Sequence, residues 1–219
     1  DIHALMQTIA AEDGVTVPGG EFTLTTPPLP DDFPPIEIST IRPSRMEPGY
    51  QFIPVMRWTN KGPDREWGLV MALDSTGEVV WYFRTDKSVN DVKRLDNGDL
   101  IYLAGRDGRM IQINKLGEVV RHWHTTGIPK DDVPEGSYPV DCETFHHDFL
   151  VMENGNFLAL STEYRDYEDY PTSERKRDAE RETTTVIGDV IVEFDQDGKV
   201  IRRWKLLDIL DPYRVSHGS

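Results

Sequence analysis

One pattern recurs along this chain and narrows what it can fold into. It is an alternating strand, a polar turn closed by glycine, and a β-branched strand that ends in an aromatic residue. GLVMALDSTGEVVWYF (68–83), RMIQINKLGEVVRHW (109–123) and DVIVEFDQDGKVIRRW (189–204) align on Gly77, Gly117 and Gly198. Glycine there fits a turn residue at φ > 0, which a side chain resists. A second kind of hairpin precedes the last two: VKRLDNGDLIYLA (92–104) and DFLVMENGNFLAL (148–160), with Asn97-Gly98 and Asn154-Gly155 as tight turns. Each repeat thus holds two hairpins, or four strands. Gly77 and Gly117 are 40 residues apart, the period of a β-propeller blade. Gly117 and Gly198 are 81 apart, so the third repeat carries extra segments. A sandwich of unrelated hairpins would not explain why the hairpins alternate in kind. The expected fold is all-β: a propeller of four-stranded antiparallel blades at roughly 50–84, 85–124 and 145–205.

Fifteen Pro and 17 Gly, scattered along the chain, agree with many short elements. Residues 1–49 lie outside the repeats. DIHALMQTIAAEDG predicts a short amphipathic helix with Ile2, Leu5, Met6 and Ile9 on one side. Residues 27–49 hold seven prolines and read as an extended connector, with IEIST as an added edge strand. The expected organisation is an N-terminal helical turn and Pro-rich connector over 1–49, then a partial propeller over 50–219. Three blades leave sheet edges open, where propellers close with four to eight. KLLDILDPYRVSHGS reads as a helical turn entering another connection, so the remaining blades are expected on further residues or another chain. The extra segments, 124–144 and 162–188, read as long loops that shape a binding site, with a short helix around SERKRDAERE.

The net charge of −15 argues against nucleic acid or an anionic membrane as partner, because both need clustered Lys and Arg. A few inward arginines still suit an anionic small substrate. No apolar run is long enough to span a bilayer, and the first residues are not a signal peptide, which a mature secreted protein would also lack. The single cysteine, Cys142, cannot form a disulfide within the chain and reads as a small buried residue.

Chemistry points to His146 and His147, which open the first strand of the third repeat. In a propeller such strands line the central channel. Neighbouring strand residues alternate in direction, so one histidine is expected in the channel and the other packed beside it. A neutral imidazole there can act as base, acid or nucleophile. Arg106 and Arg109, in GRDGR, are candidates to meet an anion at a channel mouth. His122 and His124 have the spacing of two zinc ligands on one strand face, but no third ligand is fixed by spacing. DYEDY (166–170) lacks the loop pattern of a calcium site.

The HHDF–NGN–L pattern, the later GDVIVEFDQDGKVIRRWKLLDILDPYR and the earlier PGYQFIPV and GLVMALDSTGEVVWYF resemble bacterial arylsulfate sulfotransferases over about residues 45–214. The resemblance implies a six-bladed propeller, of which about three blades are present, in the periplasm or secreted. It implies transfer of a sulfuryl group from a phenolic sulfate ester to a phenol, by a ping-pong route through a sulfohistidine, with no redox cofactor or metal. The family's His-Asp motif falls on His147-Asp148. His147 is then the residue that holds the sulfuryl group or the phenolic oxygen, and His146 the secondary candidate. The family's His-x-Asn, its later Arg and the second His-Asp that bears the nucleophile have no equivalent here. The chain would carry one arm of the site and be inactive alone. The implied partners are a phenolic sulfate donor, a phenol acceptor and the remaining blades, and a homodimer is compatible with these. The other reading is a non-catalytic propeller that binds a protein or glycan through its long loops.

Overall fold

A computed structural model describes residues 29–31, 33–58, 66–85, 87–104, 108–128, 133–173, 175–176 and 178–214. The helix expected near the N-terminus and Arg106 lie outside these residues. The chain divides into two compact units, Asp1–Ser39 and Thr40–Ser219. In the first, Phe33 N–H closes a turn on Pro30 O. IEIST is not a strand, and Pro43–Arg45 forms one turn of 3-10 helix. Alternation alone does not make a strand where no neighbour supplies a ladder.

The second unit is built from three sheets. Sheet 1 is β1 (Gln51–Trp58), β2 (Glu66–Leu73) and β3 (Val79–Thr85), antiparallel in that order. Sheet 2 is β4 (Asp91–Arg94), β5 (Leu100–Ala104), β6 (Arg109–Ile113), β7 (Val119–Thr125) and β8 (Tyr138–Val140). Sheet 3 is β9 (His146–Val151), β10 (Phe157–Pro171), β11 (Arg181–Phe194) and β12 (Val200–Lys205). The sheets follow the three sequence repeats, but only the third has the expected four strands. Sheet 1 shows three among the described residues. Sheet 2 gains a fifth, β8, which pairs parallel to β7 and comes from the segment read as a loop.

The repeated turns form for the same local reason each time. Asp74, Asn114 and Asp195 each accept two backbone N–H groups through Oδ1, at 2.8–3.0 Å. Gly77, Gly117 and Gly198 follow at φ 86, 81 and 81. The ladder slips by one residue beside each turn, at Ala72/Leu73, Gln112/Ile113 and Glu193/Phe194. This is a tight turn closed by a left-handed glycine at a bulge.

Sheet 2 lies between two cores. Val70, Leu100, Tyr102, Ile111 and Ile113 pack toward sheet 1, with Phe52, Trp81 and Phe83 at the edge. Leu103, Met110, Trp123, Phe149, Phe157, Val192 and Phe194 pack toward sheet 3. Because β5 and β6 are buried on both faces, they read as near-continuous apolar runs, LIYLA and RMIQI. The turns also dock. A Cβ on Gly117 would lie 2.9 Å from the Phe83 ring, and one on Gly198 would lie 2.4 Å from Pro139 O. Beside Gly198, Gln196 O accepts the Trp123 indole N–H at 2.8 Å and Arg121 Nη1 at 3.2 Å.

Among its described residues, the segment 162–188 is strand and turn, not the expected loop with a helix. It lengthens β10 and β11 into one hairpin arm paired from Phe157↔Phe194 to Pro171↔Arg181. Tyr and Thr in DYEDYP and RETTT favour the pleated ladder over the helix that the charge pattern suggested. A helical turn, α1 (Leu206–Ile209), forms where the sequence implied one, and it lies against the arm. Leu207 fills the space that a side chain at Gly188 would need. Arg165 Nη1 donates to Asp208 Oδ1 at 2.7 Å, and Tyr213 OH donates to Glu168 O at 2.8 Å. These contacts explain why GDVIVE and LLDILDPYR belong to one unit.

Candidate active site at the start of strand β9

Phe145 and Phe149 are buried in the core between sheets 2 and 3 and hold the segment between them at the sheet end. Phe145 stacks on Phe194 at 5.7 Å. The ladder runs Ala159↔Phe149 and then Leu160↔His146, so His147 and Asp148 form a bulge on β9. His147 has φ 58, left-handed for a residue with a Cβ.

The bulge overturns the expected alternation. Instead of pointing to opposite faces, the two imidazoles meet edge to face, with centroids 5.0 Å apart and Nδ1 to Nδ1 at 2.9 Å. A left-handed residue breaks the two-residue period and turns both rings together. His146 is half-buried, with Nε2 3.1 Å from Ser161 O and 3.7 Å from Asp189 Oδ1. Buried Ser161 is itself held, its Oγ accepting Thr144 N–H at 3.1 Å. The His147 ring is exposed.

Asp148 turns toward sheet 2. Its Oδ1 accepts Phe149 N–H at 2.7 Å and lies 2.9 Å from Lys93 Nζ. Lys93 also lies 2.8 Å from Asp91 Oδ2, and its ammonium sits 5.7 Å from the Phe149 ring centre. Burial, then the hydrogen bond with Asp148, push the Asp91 carboxyl above its ordinary value. That same hydrogen bond, with help from Lys93, holds Asp148 below its own. Of the two carboxyls, the deeper one is thus the weaker acid. Sequence reading passed over Asp91 and Lys93, although a signal existed. With Asn97 set over Asn154, Asp91 falls on the repeat position of Asp148.

Arg109 is not brought to the histidines. It pairs with Ala104 and His124, on the face of sheet 2 that packs toward sheet 1, whereas Asp91, paired with Leu103, faces sheet 3. Arg109 lines a separate cleft of about 400 Å³ with Lys87, Tyr102 and His122. His124 Nδ1 is 2.7 Å from Ser137 Oγ. No group of three or more His, Cys, Asp or Glu among the described residues is placed to hold a metal. Burial pushes the Cys142 thiol up to about 12, so it remains a neutral packing group. No helix among the described residues is long and apolar enough to cross a membrane.

Chemically, the site offers one exposed imidazole supported by a second, beside Asp148 of the same strand and the Asp91 and Lys93 side chains of the adjacent sheet. Such an imidazole can take a proton from a hydroxyl or form a bond to an electron-poor centre.

No curated protein matches the chain significantly. Among solved structures, the chain is similar to a protein of unknown function from Bacteroides caccae, with 18% identity and a TM-score of 0.40. That similarity covers 68% of this chain and 48% of the other, so the chain spans about half the length of the structure it matches. The family model described as Arylsulfotransferase (ASST) matches residues 49–218, which take in all three sheets, the histidine pair, Asp91, Lys93 and the arm. This chain belongs to the arylsulfotransferase family.

Proposed function

We propose that the chain supplies part of an active site that moves a sulfuryl group from a phenolic sulfate ester to a phenol, with His147 at its reacting edge. The observation that carries this reading is the exposed His147 ring, fixed on a strained bulge and backed by His146, in a chain of this family. A sulfuryl group in transfer is electron-poor and its oxygens are anionic. An imidazole can attack sulfur, hold a sulfuryl oxygen, or take the phenolic proton. His147 holds the sulfuryl group or the phenolic oxygen, and the nucleophile that forms the sulfohistidine of a ping-pong cycle lies on another part of the protein. The three sheets act as blades of a β-propeller whose other blades complete the site. The protein works in the periplasm or outside the cell.

The test is transfer from a nitrophenyl sulfate to a phenol by the whole protein, followed by release of nitrophenol. His147→Ala is expected to lower the rate by about 10²- to 10⁴-fold while the far-ultraviolet circular dichroism stays unchanged. Wild-type-like turnover would remove His147 from the mechanism.

A second reading, binding of a protein or glycan by the arm, is favoured by Tyr164 and Ile187. They pair across β10 and β11 and are 60% and 63% exposed. Binding lost when the arm is trimmed, in a protein that transfers no sulfuryl group, would favour it.

A further inference from the structure

We propose that His146 is a positioning residue that fixes the tautomer of His147, leaving Nε2 of His147 as the nitrogen with the free electron pair. The consequence for sulfuryl transfer rests on the function proposed above; the tautomer itself rests on geometry alone.

The assignment follows from what each partner can do. Ser161 O, 3.1 Å from His146 Nε2, can only accept, so His146 Nε2 carries the proton. A neutral His146 then has its electron pair on Nδ1, which lies 2.9 Å from Nδ1 of His147. That approach is a hydrogen bond only if His147 Nδ1 donates. The neutral His147 ring is left with its electron pair on Nε2. An unconstrained histidine side chain prefers its proton on Nε2, so the pair imposes the less favoured form.

Both ends of the chain of bonds are anchored. Ser161 is buried and tied through Oγ to Thr144 N–H, so the terminal carbonyl cannot drift. At the other end the left-handed bulge aims the His147 ring at its neighbour, with the ring planes at 89°. Asp189 Oδ1, 3.7 Å from His146 Nε2, faces the ring that would share a positive charge.

The arrangement defines one step. The phenol O–H bond breaks as its proton joins Nε2 of His147. The phenol oxygen's electron pair forms the new S–O bond. The bond from sulfur to its carrier breaks, and its pair returns to the carrier. The imidazolium so formed keeps its Nδ1–H directed at the electron pair of His146. His146 touches neither sulfur nor phenol and acts through His147.

The test is long-range proton–nitrogen correlation NMR on the chain labelled with ¹⁵N-histidine, at a pH where the rings are neutral. Wild-type His147 is expected to show a pyrrole-type Nδ1 and a pyridine-type Nε2. In His146→Phe, His147 is expected to shift toward the opposite form. In His146→Asn, whose Oδ1 falls near the former Nδ1, the wild-type pattern is expected to return. A pyridine-type Nδ1 on wild-type His147, or an unchanged pattern in His146→Phe, would overturn the proposal. The wild-type spectrum decides even if a variant fails to fold. A whole protein, remaining blades included, that has the expected tautomer but transfers no sulfuryl group would sink the proposed function and leave the positioning role standing.

Discussion

The strain at residue 147 can be read separately from its chemistry by comparing two substitutions. His147→Ala and His147→Gly remove the same ring and the same hydrogen bond to His146, so the difference between them reports on the backbone. At φ 58, a residue with a Cβ sits in the left-handed region, which costs about 1–2 kcal/mol. Glycine avoids that, but loses about 0.5–1 kcal/mol more in ordering its freer unfolded chain. The balance favours His147→Gly over His147→Ala by about 0.5–1 kcal/mol. Leu150, on the same strand and 55% exposed, serves as the control. There the order should reverse, with Leu150→Ala about 0.5–1 kcal/mol more stable than Leu150→Gly. Urea unfolding followed by tryptophan fluorescence measures both differences. In thermal melts the gap at 147 would be about 1–4 °C for a chain of this size. If His147→Ala proves as stable as His147→Gly, the left-handed bulge is not part of the folded chain, and the approach of the two rings fails with it.

Other expectations follow from the surrounding contacts. Trp123→Phe removes the indole N–H bonded to Gln196 O and part of a ring packed on Phe157 at 5.0 Å. It should destabilise by about 2 kcal/mol, seen as a Tm lowered by about 4–8 °C. Gly188→Ala places a Cβ 2.3 Å from Leu207 Cγ, so α1 must shift. A loss of about 1–3 kcal/mol is expected, with faster amide exchange along α1 and the arm. For Asp91 the folded value is raised, so its contribution is full below the unfolded carboxylate value and is lost as pH rises through the folded one. Asp91→Asn removes that loss and should gain stability relative to wild type as unfolding is measured from acid toward neutral pH. A relative loss over the same range would contradict the raised value of the Asp91 carboxyl.

The repeat was legible because its turn chemistry is local. Gly77, Gly117 and Gly198 stand in the left-handed region the sequence implied, and so do Gly98 and Gly155 of the Asn-Gly turns. The hairpins these residues punctuate are the hairpins of the three sheets. What escaped depends on register and on neighbours distant in sequence. β8 joins sheet 2 only because β7 offers it an edge, and nothing within Tyr138–Val140 marks it as a strand. The arm exists because β10 and β11 keep their ladder past the core, where charge had suggested a helix. The histidines were found by residue type, but alternation gave the wrong picture, since one left-handed residue reverses it. Arg109 was grouped with the site by its charge, and the parity of β5 and β6 puts it on the other face. Asp91 and Lys93 enter from the preceding sheet, and their reach to Asp148 is a matter of sheet-to-sheet docking.

The docking of the turns sets an order of assembly. The glycine turn of sheet 2 seats against Phe83, near the end of sheet 1, and the glycine turn of sheet 3 seats against Pro139 and the indole N–H of Trp123, near the end of sheet 2. Each sheet thus presents its receptor late in its own stretch of chain and is engaged by a turn that is synthesised later still. A chain emerging from its N-terminal side always exposes a finished seat before the turn that fills it, so the sheets can be added one after another during synthesis without an earlier one having to reopen. The seats differ, an aromatic ring in one case and a carbonyl with an indole in the other, so each turn has a reason to choose its own seat among repeats that otherwise look alike.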